Sequence, residues 1–515
     1  MDDETYDVVV IGGGAAGLSG ALALGRARRS VLVVDAGEPR NAPAGHVHNY
    51  LGREGTPPGE LLAIGRREVQ QYGVQVHDGT VRDVSRQPDG TFLVTLADRS
   101  VAARRLLVTT GLVDELPDVP GVAEGWGRTV LHCPYCHGWE VRDQALGVLA
   151  TSALAVHQAL MFRQWSADVV LFLHTAPQPT DDEAEQLAAR GIRVVEGEVA
   201  AWEPDGVRLA DGELVPRQAL VVATTLHARA DALVTLGLTT TDLEMGGQVV
   251  GSFVASDPTG MTAVPGVWVA GNVADPRAQV ITSAAAGLTA GAALNGDLIA
   301  EDTRIAVDEH RVFGQDAWEA RYREKEDRIW SGRPNPVLVA EATDLAPGSA
   351  LDVGCGEGAD ALWLAARGWR VTATDISTVA LARAAAQAEA QGLDVGWRHA
   401  DLLADPPEAD AYDLVTAQFM HLPADARVRM FGRLAEAVAP GGTLLLVGHH
   451  PLDLQVLPRL RLRSMLFTPE QLVAELALDP DTWQVLVAEA RPRQAEDPDG
   501  HPITVHDTVL RARRT

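Results

Sequence analysis

The chain has 515 residues, 46% hydrophobic and 22% charged, with 70 acids against 43 Lys+Arg and a formal net charge of −27. So acidic a surface repels phosphate backbones and anionic bilayers, which argues against nucleic acid and membrane as partners and leaves a soluble enzyme of about three domains as the expected class. Three cysteines are too few for a disulfide framework, and the acidic start Met1–Asp7 has no export signal, so a reducing cytoplasm is the expected location.

The first apolar run, through Ile11, predicts a buried parallel strand. Gly12-Gly-Gly-Ala-Ala-Gly17 follows, then an Ala/Leu-rich helix to about Arg28 and a second strand, Ser30–Asp35. Gly12, Gly14 and Gly17 fit G-x-G-x-x-G, whose glycines permit a tight turn, backbone approach to a pyrophosphate, and close helix–strand packing. Asp35, about twenty residues on, is placed to take ribose hydroxyls. This half continues to the strand and turn Leu106–Gly111.

From Leu112 to Gly247 the pattern restarts, with a strand at 145–150, a helix at 153–165 and a strand at 169–174. Within it stands His132-Cys-Pro-Tyr-Cys-His-Gly-Trp-Glu140. Two thiols at this spacing, Cys133 and Cys136, can close and reopen a disulfide, a two-electron switch. His137 is the nearer candidate base and His132 the second. A zinc half-site and an inert buried pair are the alternatives; zinc needs four ligands and no second CxxC exists, so no metal is expected.

Gly266–Asn272 reads as a return to the first domain, closed by a helix over 278–300. Residues 304–335, charged and aromatic (Trp318, Tyr322, Trp330), are expected to connect or cover. Leu351-Asp-Val-Gly-Cys-Gly-Glu-Gly358 then gives a strand and a second glycine loop, followed by a helix at 359–367 and a strand ending at Asp375. Asp352, Gly354, Gly356 and Gly358 in this spacing favour an adenosine- and carboxylate-bearing ligand over a pyrophosphate. Cys355 reads as a small packing residue. His421, His449 and His450 follow strand ends where an acceptor would bind, and any of them is a candidate base.

Residues 1 to about 303 resemble the low-molecular-weight thioredoxin reductases. More narrowly, Cys133–Glu140 and His46-Val-His-Asn-Tyr-Leu-Gly-Arg-Glu-Gly55 are similar to the FAD-dependent dithiol oxidases that close disulfides in gliotoxin- and holomycin-type metabolites. The resemblance implies FAD bound by Gly12, Gly14, Ala15, Gly17 and Asp35, with contacts from Asn49, Val81, Gly111, Gly271, Asn272, Gln279 and Val280. Reductases usually carry Asp where Asn272 stands, and the amide can still donate to or accept from a ribityl hydroxyl. Cys136 would lie nearest the flavin and Cys133 would exchange with substrate. His137 stands where reductases have an acid, as in the dithiol oxidases.

Reductases of this kind also carry glycines and a His-Arg-Arg for NADPH in the middle domain. Here the turn reads Leu149-Ala-Thr-Ser-Ala-Leu-Ala155, and His174-Thr-Ala-Pro-Gln-Pro follows the next strand without an arginine. That counts against NAD(P)H as a cofactor and favours oxidation, with substrate thiols filling the flavin and oxygen emptying it. Residues 336 to about 450 resemble class I S-adenosylmethionine-dependent methyltransferases. On that likeness Asp352, Gly354, Gly356 and Gly358 approach the cofactor, Asp375 binds its ribose, and Asp401 and Leu402 sit at the adenine.

The expected fold class is α/β: a flavoprotein of two dinucleotide-binding domains followed by a Rossmann-like methyltransferase domain. The expected division is 1–111 and 248–303 for FAD, 112–247 for the central domain, 304–335 as linker, and 336–515 for methyl transfer. The expected function is bifunctional, oxidising a small dithiol and methylating an acceptor, possibly a thiol; a homodimer follows by resemblance alone. An NAD(P)H-dependent thioredoxin reductase-like enzyme fused to a methyltransferase is the alternative. A flavin part that only binds or regulates is a third reading.

Overall fold

The computed structural model describes residues 4–325, 328–455, 465–496 and 501–515, in two compact units, residues 1–301 and 302–515. Parts of the expected linker (326–327) and of the expected methyltransferase domain (456–464, 497–500) lie outside the described residues.

In the first unit, Thr5–Ile11 lies between Val31–Asp35 and Ser100–Val108, parallel to both. Gln75–Asp78 and Val267–Val269 add further parallel strands, and Phe92–Thr95 and Asp83–Arg86 continue the sheet antiparallel. Side chains alternate across a strand, so Val9 and Ile11 enter one core while Val8 and Val10 enter another beneath the helices. Both faces are covered, which is why the strand reads as an unbroken apolar run. The last helix of the sheet runs Val280–Phe313, longer than the expected 278–300. Its small residues let it touch the helix Ala15–Arg26: a Cβ on Gly287 would stand 1.9 Å from the Ala16 carbonyl oxygen. Among the described residues no helix is long and apolar enough to cross a membrane.

The middle of this unit holds a five-stranded parallel sheet, in the order 193–195, 169–172, 146–149, 219–222, 130–131, and a three-stranded antiparallel one. A four-stranded sheet joins Leu112–Glu115, Thr225–Ala228, Gln248–Val254 and Thr240–Met245. The expected boundary at 247/248 falls on the Gly246-Gly247 turn of its hairpin, whose strands pair with each other.

The second unit is a seven-stranded sheet ordered 395–399, 370–375, 349–353, 412–418, 438–449, 502–514, 483–496. The first five strands are parallel; Pro502–Arg514 inserts antiparallel between Val438–His449 and Trp483–Glu496. Strand order reverses between 349–353 and 412–418, and a doubly wound sheet opens its ligand crevice outside the carboxyl ends at such a point.

Candidate active sites

Gly12 ends the first strand at φ +107°, with the Thr109 carbonyl oxygen 2.5 Å from where a Cβ would stand, so only glycine serves. A Cβ on Gly17 would lie 1.9 Å from the Gly12 carbonyl oxygen. Gly14 is different: nothing lies within 4 Å of its Cβ position. It caps Ala15–Arg26 without a side-chain hydrogen bond, so the first-turn N–H groups face open space, the fit a pyrophosphate needs.

Asp35 accepts the Gly13 N–H at 3.0 Å and pairs with Arg66, which also holds Asp78 at 2.7 Å. Arg66 orients the Asp35 carboxylate and is invisible to the motif. Val81, Gly111 and Gly271 follow the carboxyl ends of neighbouring parallel strands; Val81 is half-buried against the core, and Gly111 (φ +73°) has open space at its Cβ position. Asn272 directs Nδ2 to the carbonyls of Asp275 (3.1 Å), Pro276 (3.4 Å) and Ala278 (2.9 Å). The amide nitrogen therefore braces the turn before the long helix, and Oδ1 is what it offers a ligand. Gln279 and Val280 begin that helix, where the Gln279 carbonyl accepts from Ser283 N–H and Thr282 Oγ1 at 2.8 Å each. Asn49, in a left-handed conformation (φ +60°), donates Nδ2 to the Tyr135 carbonyl at 2.8 Å, which ties it to the thiol segment.

Cys133 caps the short helix Pro134–His137, and its Sγ lies 2.7 Å from that of Cys136. Both are free thiols. The Cys136 thiol donates to Cys133, and that bond, with N–H groups of Tyr135 and Cys136 and the Arg40 charge, outweighs burial and brings Cys133 down to about 7. The same contact, reinforced by burial, pushes Cys136 up. The pair thus carries one thiolate near neutrality, on the first sulfur. Burial holds His137 and His132 below the ordinary imidazole value, so both are neutral and able to accept a proton. His48 bonds Glu54 at 2.6 Å and approaches Glu140 at 3.4 Å, tying the 46–55 loop to the thiol segment. Among the described residues no three His, Cys, Asp or Glu side chains are placed to hold a metal ion.

In the middle domain the corresponding turn, Ala150–Ala155, holds no glycine; Ala150 and Ala155 are buried in place of Gly12 and Gly17, and Ser152 stands in place of Gly14. His174, at φ +46°, accepts the Val199 N–H on Nδ1 at 3.0 Å and so ties its own domain together.

In the second unit Gly354, Gly356 and Gly358 all have positive φ, +66°, +52° and +84°. Asp375 accepts the Gly356 N–H on one oxygen and the Ser377 N–H on the other, both at 2.8 Å. Asp352 is fully buried with no partner for Oδ2, and burial pushes its carboxyl well up. An orphaned buried oxygen beside a glycine turn suits the amino-acid end of S-adenosylmethionine. Asp401 starts the turn after Val395–His399, where Oδ1 accepts the Leu403 N–H at 2.9 Å; Leu402 is buried beside it.

The segment expected to connect or cover lies over this loop, and what sequence reasoning missed is Gln315 and Glu319 within it. The helix Gln315–Glu324 lays Gln315, Glu319 and Tyr322 along one face, as i, i+4, i+7 spacing requires. Gln315 reaches His399 at 3.2 Å, and the buried Glu319 accepts from Ser377 Oγ (3.0 Å), Thr378 N–H (3.0 Å), Thr378 Oγ1 (2.6 Å) and Val379 N–H (3.3 Å). Trp330 Nε1 donates to Tyr322 Oη at 3.0 Å, and that oxygen lies 3.0 Å from the Cβ position of Gly356. Trp318, Tyr322 and Trp330, read as connector or cover, form one aromatic cluster here. His421 and His449 stack with centroids 4.9 Å apart at neighbouring strand ends, and burial brings both down to about 4. His450 is held apart, accepting the Leu452 N–H on Nδ1 at 3.2 Å.

The model of the pyridine nucleotide-disulphide oxidoreductases matches residues 6–289, and that of a methyltransferase domain matches 350–442. Thioredoxin reductase sirT of Leptosphaeria maculans is 30% identical over 319 residues, 58% of this chain and 95% of that protein. Thioredoxin reductase tcpT of Claviceps purpurea is 31% identical over 311 residues, 57% and 95% respectively. The solved structure of HlmI is 46% identical, with a TM-score of 0.55 over 59% of this chain and 96% of that one. The chain belongs to the pyridine nucleotide-disulphide oxidoreductases, as a thioredoxin reductase-like oxidoreductase, and carries a methyltransferase domain behind it.

Proposed function

We propose that the N-terminal unit oxidises a small-molecule dithiol to its disulfide through Cys133 and Cys136, with oxygen as the final acceptor, and that the C-terminal unit methylates an acceptor such as a thiol. Bound FAD would supply a two-electron sink that restores the cysteine disulfide, and bound S-adenosylmethionine would supply the methyl group. Gly12, Gly14, Ala15, Gly17, Asp35, Gly111, Gly271 and Asn272 would hold the first. Asp352, Gly354, Gly356, Gly358, Asp375, Asp401 and Leu402 would hold the second.

From the oxidised pair, a substrate thiolate attacks Cys133 Sγ, the S–S bond breaks, and Cys136 leaves as thiol after taking a proton. The substrate's second thiol, giving its proton to neutral His137, attacks the mixed disulfide and expels Cys133 as thiolate. Substrate loses two electrons and two protons; the pair gains the electrons. The single observation that supports the oxidative direction is the turn Ala150–Ala155, which holds no glycine where Gly12–Gly17 holds four. The proposed setting is the cytoplasm, and a homodimer is proposed on resemblance.

Anaerobic titration of the purified holoenzyme with dithiothreitol, NADPH and NADH tests the direction. Dithiothreitol should bleach the flavin, and admitted air should restore it. Rapid bleaching by NADPH, without bleaching by dithiol, would establish the reductase reading that the names of sirT and tcpT favour.

A further inference from the structure

We propose that the Tyr322 hydroxyl is a ligand-binding group that donates to the α-carboxylate of S-adenosylmethionine. With Asp352 accepting the ammonium, it makes this seat selective for an adenosyl ligand that bears a complete amino acid. This rests on the reading of the glycine turn at 354–358 as the cofactor seat. Tyr322 lies outside both glycine motifs, and what singles it out is an unused hydrogen-bond donor.

Tyr322 is 2% exposed. Its Oη accepts the Trp330 Nε1–H at 3.0 Å, and a phenol that accepts one bond still has its own O–H to give. Among the described residues nothing takes that proton. A buried donor left without an acceptor is rare in a folded protein, and a ligand supplies the missing partner. The oxygen stands 3.0 Å from the Cβ position of Gly356, so the hydroxyl sits directly over the turn.

A second orphan lies four residues earlier on the same stretch of chain, where Asp352 Oδ2 is buried with no partner. Gly354 and Gly356, at φ +66° and +52°, turn the chain between the two. Burial, with Asp360 and Asp375 nearby, pushes the Asp352 carboxyl well up, and an arriving cation is what returns it to the charged form. One orphan thus asks for an acceptor and the other for a cation. An α-amino acid carries a carboxylate and an ammonium on one carbon and answers both.

The turn itself holds the hydroxyl in place. Glu357, buried within the turn, accepts the N–H groups of Ile329 (3.1 Å) and Trp330 (3.2 Å) on Oε2 and Arg383 Nη1 (3.0 Å) on Oε1. Arg383 Nη2 donates to the Tyr322 carbonyl at 2.6 Å. One ion pair therefore fixes both rings over the glycines and leaves the phenol proton as the group on offer. Burial pushes the phenol up, against the Trp330 bond and with help from Asp375 and Glu357, so it stays a donor and never an anion that would repel a carboxylate.

Titration calorimetry of the full-length, FAD-loaded protein tests this with probes that differ at the amino-acid end. They are S-adenosylhomocysteine, its decarboxylated amine analogue, and 5′-methylthioadenosine, which lacks both groups. Tyr322→Phe should weaken S-adenosylhomocysteine about 10-fold and leave the other two within about 2-fold of wild type. Asp352→Asn should weaken S-adenosylhomocysteine and the amine analogue together and spare 5′-methylthioadenosine. Undiminished S-adenosylhomocysteine affinity in Tyr322→Phe overturns the inference. So does a loss shared equally by the amine analogue, which is what a displaced roof alone would give. If Tyr322→Phe does not fold, the wild type decides: S-adenosylhomocysteine should bind about 10-fold tighter than the amine analogue, and equal affinities overturn the assignment. Failure of the parent reading looks different, because then none of the probes binds the wild type.

Discussion

Adding one methyl to Gly14 or to Gly17 should have opposite consequences, although the two glycines belong to one motif. An alanine Cβ at 17 would stand 1.9 Å from the Gly12 carbonyl oxygen, where real contacts do not fall under 3.0 Å. Helix and strand must part by about 1 Å, and overpacking of backbone against backbone belongs at the upper end of core strain, about 3 kcal/mol. At 14 the backbone is extended (φ −74°, ψ −173°), a conformation alanine adopts, and no atom lies within 4 Å. The folded protein should gain about 0.5 kcal/mol from a stiffer unfolded chain. The new methyl, however, occupies the space through which a pyrophosphate approaches the first-turn N–H groups. Losing one hydrogen bond to a charged oxygen costs about 1.5–3 kcal/mol, or roughly 10- to 100-fold in FAD affinity. The assay pairs urea unfolding of the apoprotein with its fluorescence titration by FAD. Gly17→Ala should lose stability and Gly14→Ala should lose flavin; wild-type FAD affinity in a folded Gly14→Ala protein would refute the placement of the pyrophosphate.

Glu319→Ala strips the acceptor from four donors at the start of Thr378–Gln391 and should lower the unfolding free energy of the C-terminal unit by about 2–3 kcal/mol, read by tryptophan fluorescence in urea. Burial alone would raise the Glu319 carboxyl; the donors hold it at about 2 instead of 4.5, so its stabilisation is complete above the unfolded value and disappears as pH falls toward about 2. Glu319→Gln should flatten that acid limb of the stability profile. Buried His421 and His449 are neutral above about 4, so methyl transfer should show no inflection from them around neutrality; an inflection near the ordinary histidine value that vanishes in His449→Gln would refute their burial. Trp330→Phe removes the N–H donated to Tyr322 Oη and should weaken S-adenosylhomocysteine binding about fivefold by calorimetry, with the remaining tryptophan emission still responding to ligand.

What was legible in the chain was local. The first strand, its glycine turn and Asp35 lie within about thirty residues, as do the strand from Leu351, its glycine turn and Asp375, and their spacing carries the geometry. What was hidden depends on partners distant in sequence. Arg40 meets Asp114 across 74 positions and Glu319 meets Ser377 across 58, and neither pair breaks a periodicity or completes a motif. The Ala/Gly stripe of the long helix ends near Ala300, but residues 301–313 include the strong helix formers Glu301, Arg304 and Ala306 and no Gly or Pro, so the break comes only at Gly314, which caps the next helix. The sequence leaves open whether the Asn272 amide donates or accepts; three backbone carbonyls in the next turn take the nitrogen.

The chain builds the same strand–turn–helix crossing three times, and the three differ in what stands over the turn. At Gly14 the backbone is uncovered. At Ala150–Ala155 no glycine stands, and the histidine beyond the next strand accepts the Val199 N–H. At Gly356 the turn is roofed by Tyr322 and Trp330 from a preceding helix, with an unpartnered carboxylate oxygen left beneath at Asp352. Topology is therefore no guide to which crossing takes a ligand, since the parallel sheets are alike in all three. What differs among the three is the side chains at the turn: four glycines with open space at Gly14 in the first, no glycine in the second, and glycines beneath Tyr322 and Trp330 in the third. The proposed oxidative direction requires that no dinucleotide dock at the second turn, and a substrate dithiol is then the source of the electrons, passed through Cys133 and Cys136.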